Sequence, residues 1–518
     1  MFRRLAFVAV VGALVACAGP NAGPNIPSFA QTAHSSQALP NQAQALPEPP
    51  VVRAVNGVAR VALFVVNNPN TGQPGFRYRG VIGDAPTIEV EPGETVDVEL
   101  HNHLSTHIPP AESMDAMGMA KTYENDVNLH FHGLGSSPQR PGDDVLTMIA
   151  DPGHSLHYVI RVPANQEPGL YWYHAHVHGV VNYQVGESGL SGALIVDGLE
   201  RHIPALGKMK QRLLIVRSTG FDGDALPNNT NTAPCATKDH LTTTINGALH
   251  PVITIAPGEQ QFFRLVNATG HKTLALNVTG EAMQLVAVDG FALDTYPGTP
   301  TSEAKRTIVV PPAARAEFVV TGPAAGHGVL RTLCYDTGPN GDPDPEMTLA
   351  YLKSAPGSRS VRRKHLPIEA GEPLPRNVYT TQLPAPSQKR LVIFSEDAKP
   401  HFYINGRRFE ANAKPMFVVH TGTTEEWEID NVTHEIHDFH IHQIHFVVES
   451  INGVALRHPY WADSVVLPHR HLLNGKSVPG SLMLLMDFRD PVIRGMFVFH
   501  CHILDHEDEG MMAKIEAI

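Results

Sequence analysis

Three times along this chain the same phrase occurs: a short apolar–polar alternation, a glycine turn, and a second alternating stretch. The copies run from Thr87 to Leu100 around Pro92-Gly93, from Val252 to Leu265 around Pro257-Gly258, and from Met416 to Ile429 around Gly422. Alternation with a period of two places successive side chains on opposite faces of a strand, so each copy reads as strand, turn, strand. The copies are about 165 residues apart, and a period of that length marks repeated structural units. The 518 residues also exceed what one hydrophobic core serves. Convincing helical periodicity is scarce, and the 43 glycines and 43 prolines are spread along the chain as turn formers. These features predict an all-β protein of three related Greek-key β-sandwiches.

The expected units are residues 53–198, closing at Val196-Asp197-Gly198, then 199–365, and finally 366–518. Ahead of them, Arg3-Arg4 precede an apolar run from Leu5 to Val15 that is too short to span a bilayer. The run ends in Leu14-Val15-Ala16-Cys17, which resembles the lipobox of bacterial lipoproteins, so residues 1–17 read as an export signal with Cys17 lipidated. Simple cleavage after Ala18 is the alternative. Either route predicts export to the periplasm or cell envelope, the first with possible membrane attachment through Cys17. Residues 18–52 are Pro, Ala, Gln, Asn and Ser with hardly any charge, a composition suited to a flexible tether. The formal charge of −12 supplies no basic face for nucleic acid, which is not expected as a partner.

The chemistry concentrates near the end. In His500-Cys501-His502, with His506 and Met511 following, the chain offers a thiolate, an imidazole and a weak thioether. Completed by one upstream imidazole, these form the donor set of a blue-copper electron-transfer centre. That imidazole is available in His437-Asp438-Phe439-His440-Ile441-His442. In an extended strand His500 and His502 face away from Cys501, so they reach toward other ions. Two more pairs lie in the first unit, His130-Phe131-His132-Gly133 and His174-Ala175-His176. Among 30 histidines one H-x-H would mean little; four clusters, the last holding a cysteine, mean more.

In this order the motifs resemble the multicopper oxidases of the laccase type, over nearly the whole chain from about residue 55. The resemblance implies three cupredoxin-like domains and four copper ions. His437, Cys501, His506 and Met511 would hold the type 1 ion, and His130 with His440 the type 2 ion. The type 3 pair would take His132, His174 and His502 on one side, and His176, His442 and His500 on the other. The ligands fall in the outer units, so the cluster is expected between them, with the middle unit as a spacer. Glu507 resembles the family's proton-relay acid, and Asp143, or its neighbour Asp144, lies where a second acid belongs beside the type 2 copper. His178, His434 and His445 are expected not to bind copper. With Cys501 committed, Cys235 and Cys334 are left either to pair as a disulfide or to remain free thiols.

The implied activity is one-electron oxidation of a small reductant, coupled to four-electron reduction of O2 to water. Candidate reductants are a phenol, an aromatic amine, Cu(I) or Fe(II). A broad laccase and a copper-tolerance cuprous oxidase compete as specific readings. The stretch from His101 to Asn128 carries Met114, Met117 and Met119, soft donors suited to Cu(I). A non-catalytic copper-binding cupredoxin lipoprotein is disfavoured because every ligand position is filled.

Overall fold

The computed structural model describes residues 44–83, 85–105, 123–219, 242–324, 327–342, 344–354, 366–372, 383–398 and 401–518. The expected export signal with Cys17, and Met114, Met117, Met119 and Cys235, lie outside these residues. Cys334 is disulfide-bonded.

The regular structure of the described chain is nearly all strand, as the alternation predicts, and the strands form three two-sheet sandwiches. In the first sandwich one sheet has the order Val51–Arg53, Thr87–Val90, Ser191–Val196, Gly169–His174, His130–His132. The third repeats this plan with Phe417–Val419, Met512–Ala517, Gly495–Cys501, His437–Ile441, then Ser464–Leu467 at the edge. The middle sandwich does so again with Val252–Thr254, Met347–Lys353, His327–Leu333, Leu274–Val278, Ile308–Val310. Each sandwich buries its own apolar core.

The repeated phrase has a particular place in this plan. Its first half lies in the sheet just described, while its second half (Thr95–Asn102, Gln260–Asn267, Thr423–Asn431) lies in the facing sheet. The glycine turn therefore carries the chain across the sandwich and does not close a hairpin. Gly93, Gly258 and Gly422 take φ of 91°, 73° and 85°, a left-handed conformation that glycine adopts without a Cβ penalty. Each donates its N–H to the strand beside it, at Val162 O (3.2 Å), Gly322 O (3.0 Å) and Phe488 O (3.0 Å). In the first two copies the following glutamate folds back, Glu94 Oε2 accepting from Glu91 N at 2.8 Å and Glu259 Oε2 from Ala256 N at 2.7 Å.

Strands with one wet face keep the alternation, as Thr95–Asn102 does. The strands that carry the histidine motifs do not: His130–His132, Gly169–His174 and His437–Ile441 are buried at every residue. One face meets the sandwich core and the other meets a neighbouring sandwich. Helix among the described residues is limited to short turns, of which Leu504–Asp508 matters most. Its Asp508 carboxylate accepts from Val181 N (3.0 Å) and Asn182 N (2.8 Å), tying the third sandwich to the first.

Open space surrounds the missing Cβ of Gly422, so Gly422→Ala tests the backbone alone. The expected loss is about 1–2 kcal/mol, measured as a lower denaturation midpoint with any visible absorption unchanged.

Candidate metal centre

Two equivalent strand pairs build the site. In the first sandwich His130 sits opposite His174 in the ladder, and in the third His440 sits opposite His500. His176, His442 and His502 follow just beyond the strand ends. The two halves meet ring on ring: His130 stacks on His442 (centroids 3.7 Å, 13°) and His132 on His440 (3.9 Å, 16°). Eight imidazoles thus share one buried seam. Within it the donor atoms gather into three sets, the first two sharing His132: His130, His132 and His440; His132, His174 and His502; and His176, His442 and His500.

The rings are aimed by their outer nitrogens. An N–H donated to a fixed acceptor leaves the other nitrogen as a bare lone pair. His130 Nδ1 meets Asp143 Oδ2 at 2.9 Å, His132 Nε2 meets Asp463 Oδ1 at 3.1 Å, and His440 Nδ1 meets Asp463 O at 2.7 Å. His174 Nδ1 meets Ala175 O at 2.8 Å and His500 Nδ1 meets Cys501 O at 3.0 Å. The opposite nitrogens of His130, His132, His174 and His440 are buried without any hydrogen-bond partner. His500 Nε2 lies 3.4 Å from His176 Nε2 and 3.2 Å from His442 Nε2, so the three nitrogens converge on one point. Burial first, and neighbouring imidazoles second, hold His130, His176 and His442 well below the usual histidine range. At neutral pH these rings are uncharged. Such a convergence of neutral donors fits cations.

A second set sits one residue away. His437 Nδ1 and His506 Nδ1 are 3.0 Å apart, and each is 3.7 Å from Cys501 Sγ. The centre of a triangle with these edges lies about 2.0 Å from every corner, a metal bond length for nitrogen and close to one for sulfur. Soft thiolate with two imidazoles suits copper. Asp438 N donates to Cys501 Sγ at 3.4 Å, and Phe402 stacks on His506 at 4.1 Å. Met511 is buried, and its backbone bonds Cys501 N (3.0 Å) and His506 O (2.9 Å), which returns the chain to the site. Cys501 is the link between the sets, because its chain neighbours His500 and His502 belong to the other one.

The two acids flank the seam. Glu507 Oε2 lies 3.1 Å from His500 Nδ1 and its Oε1 3.7 Å from His176 Nε2. Of the adjacent aspartates, Asp143 touches His130 and also accepts from Phe131 N and Gln443 Nε2. Asp144 instead caps the turn at Leu146 and Thr147. Burial pushes Asp143 up to about 7.

Other positions fill in the sequence reading. His178 is buried and lies with His176 and Glu507 in one further group of potential donors. His445 stands behind the ligands, its Nε2 3.2 Å from Asp463 Oδ2. The middle sandwich is not a mere spacer: its Arg315 holds Asp463, which in turn holds His132. Neither Arg315 nor Asp463 belongs to any sequence motif. His101 stands apart, stacked on Phe64.

Family comparisons agree with this geometry. Models described as multicopper oxidase match residues 117–201, 172–354 and 382–517. "Multicopper oxidase mco" of Staphylococcus haemolyticus is 25% identical over 444 residues, covering 83% of this chain and 81% of the relative. A laccase of Bacillus subtilis is 24% identical over 490 residues, covering 85% and 89%. Among solved structures, a multicopper oxidase from Campylobacter jejuni, titled a metallo-oxidase, superposes with a TM-score of 0.68 at 21% identity, covering 92% of this chain and 98% of that one. That likeness carries the fold of cupredoxin-like domains. The chain belongs to the multicopper oxidase family. It is accordingly an oxidoreductase with a copper cofactor, using O2 and a reducing substrate.

The buried histidines set the acid stability of the copper-free protein. His174 is lowered to about 3 and His506 to about 4, against 6.5 when exposed. Between those values the unfolded chain binds protons that the folded chain refuses, so stability falls as pH drops from about 6.5. Each such group contributes about 1.4 kcal/mol per pH unit. Thermal melts of metal-free protein from pH 7 to pH 4 are expected to show a steep decline; a flat profile would contradict the assignment of neutral rings.

Proposed function

We propose that the chain holds four copper ions and oxidises low-valent metal ions, Cu(I) or Fe(II), one electron at a time, with phenols and aromatic amines as secondary reductants. His437, Cys501, His506 and Met511 hold the type 1 ion, and His130 and His440 the type 2 ion. His132, His174 and His502 hold one type 3 ion, and His176, His442 and His500 the other. Copper bound there supplies one-electron acceptance at the thiolate and four-electron reduction of O2 to water in the histidine cage. The division is supported by the donor groups: the two type 3 triads and the thiolate set each occur as one group, and His130 and His440 meet in a further group that also includes His132. Cys501 and its two neighbours give electrons a covalent path, and Glu507 and Asp143 stand beside the cage as carboxyl groups able to hold and pass protons.

The preference for metal ions rests on what surrounds His506, whose ring edge is the outward side of the thiolate site. Glu435 Oε1 lies 3.8 Å from His506 Nε2. Burial, a shared hydrogen bond with Glu396, and the charges of Asp505 and Asp342 push Glu435 up to about 11. Burial raises Asp505 to about 6, and burial together with the charge of Asp505 raises Asp342 to about 6. Four carboxyl groups that repel one another favour a cation among them over a neutral aromatic. A broad laccase is the second reading, favoured by the similarity to the Bacillus subtilis laccase. Residues 1–17 support export, with attachment through Cys17.

The decisive experiment is steady-state oxidation of Cu(I), Fe(II) and a phenol by copper-loaded protein, with oxygen uptake and peroxide followed together. Full uptake without peroxide, and specificity highest for a metal ion, are expected. Glu435→Gln should raise KM for Cu(I) or Fe(II) about tenfold relative to that for the phenol, the weight of roughly 1.4 kcal/mol. An equal change for both substrates would count against the acidic rim as a cation site.

A further inference from the structure

The middle sandwich contributes nothing to the donor sets, yet its Arg315 lies where all three sandwiches meet. The guanidinium is completely buried. Its Nε donates to Leu170 O of the first sandwich at 3.1 Å. Its Nη1 and Nη2 donate to Asp463 Oδ1 and Oδ2 of the third, at 2.7 and 2.6 Å. From its own sandwich, Asp289 O accepts from Nη2 at 3.0 Å. The Asp289 carboxylate also accepts from Asp463 N (3.1 Å) and Ser464 N (3.2 Å). Asp463 is thereby fixed at both backbone and side chain by the middle sandwich. No side chain could stand between: a Cβ on Gly133, at φ 84°, would come within 2.4 Å of Arg315 Nη2 and 2.7 Å of Asp463 Oδ2.

What Asp463 holds is the seam itself. Its Oδ1 accepts from His132 Nε2, a ring of the first sandwich, and its carbonyl accepts from His440 Nδ1, a ring of the third. Those are the two imidazoles stacked at 3.9 Å. One residue anchors one ring from each half, and one arginine aims that residue. The other stacked pair has a separate tie, in which Gln443 Nε2 bonds the Asp143 carboxylate that holds His130. The thiolate set needs neither, since His437, Cys501 and His506 all come from the third sandwich.

We propose that Arg315 is a positioning residue for the trinuclear cage: through Asp463 it sets the placement of His132 against His440, and so the capacity of the two outer sandwiches to share copper. The inference rests on the ligand assignment proposed above. A guanidinium is suited to the task because its rigid fork engages both carboxylate oxygens, which a lysine cannot do.

The test uses copper-loaded full-length protein carrying Arg315→Met or Arg315→Lys, with total copper, visible absorption and the electron paramagnetic resonance spectrum recorded beside thermal melts. Arg315→Met is expected to keep the blue absorption of the thiolate site while binding type 2 copper about 10–100-fold more weakly, as loss of an outer partner does. Arg315→Lys should restore part of the type 2 signal. A full type 2 signal of unchanged shape in Arg315→Met would overturn the proposal. So would loss of the blue band in step with the rest, since that marks general unfolding. Should Arg315→Met not accumulate, Arg315→Lys decides alone: a lower ratio of type 2 to blue copper supports the proposal, and an unchanged ratio overturns it. Wild-type protein without a blue band would instead strike the ligand assignment, whatever the variants do.

Discussion

Buried imidazole nitrogens converging without partners are the constraint on which this molecule turns. Neutral imidazoles packed into one buried seam leave nitrogens unsatisfied, a cost that a folded protein bears only where something compensates it. Copper held among them would supply that compensation and would couple metal loading to the cohesion of the outer sandwiches. The fold supplies what the metal cannot. Strands ending at the seam are buried on both faces, and five of the eight rings, those of His130, His132, His174, His440 and His500, are clamped from behind by a carbonyl or carboxylate.

The clamps differ in reach. His174 and His500 are held by the carbonyls of the residues that follow them, so their orientation is a local property of the strand end. His132 and His440 are held by Asp463, whose own placement depends on Arg315 and Asp289 far away in the chain. Removing one partner of a buried charge pair costs about 3–5 kcal/mol, because the remaining charge stays out of water. The same junction therefore serves cohesion between sandwiches and the alignment of rings.

Much of this was legible in the sequence, for reasons that are themselves local. A period of two reveals strands, and the ligands cluster at short spacings because residues two apart on a strand point into the same seam. His500, Cys501 and His502 announce themselves. Asp463 and Arg315 do not: a lone aspartate in Trp461-Ala462-Asp463-Ser464 and a lone arginine after Ala313-Ala314 carry no pattern, and they meet across 148 positions. The choice between Asp143 and Asp144 was equally closed, since it turns on which neighbour faces the ring and which caps the turn. The repeated glycine phrase showed strand, turn and strand. That the turn crosses from sheet to sheet is a matter of pairing, which no single phrase encodes.

Cys501 stands at the end of its strand with a cage histidine bonded on either side. With copper at both places, the distance an electron must travel is written in bond lengths and angles of one tripeptide, quantities that mutation elsewhere cannot stretch. The surrounding core is free to drift in sequence as long as the strand still ends there, so the covalent link between the two donor sets is inherited with the backbone.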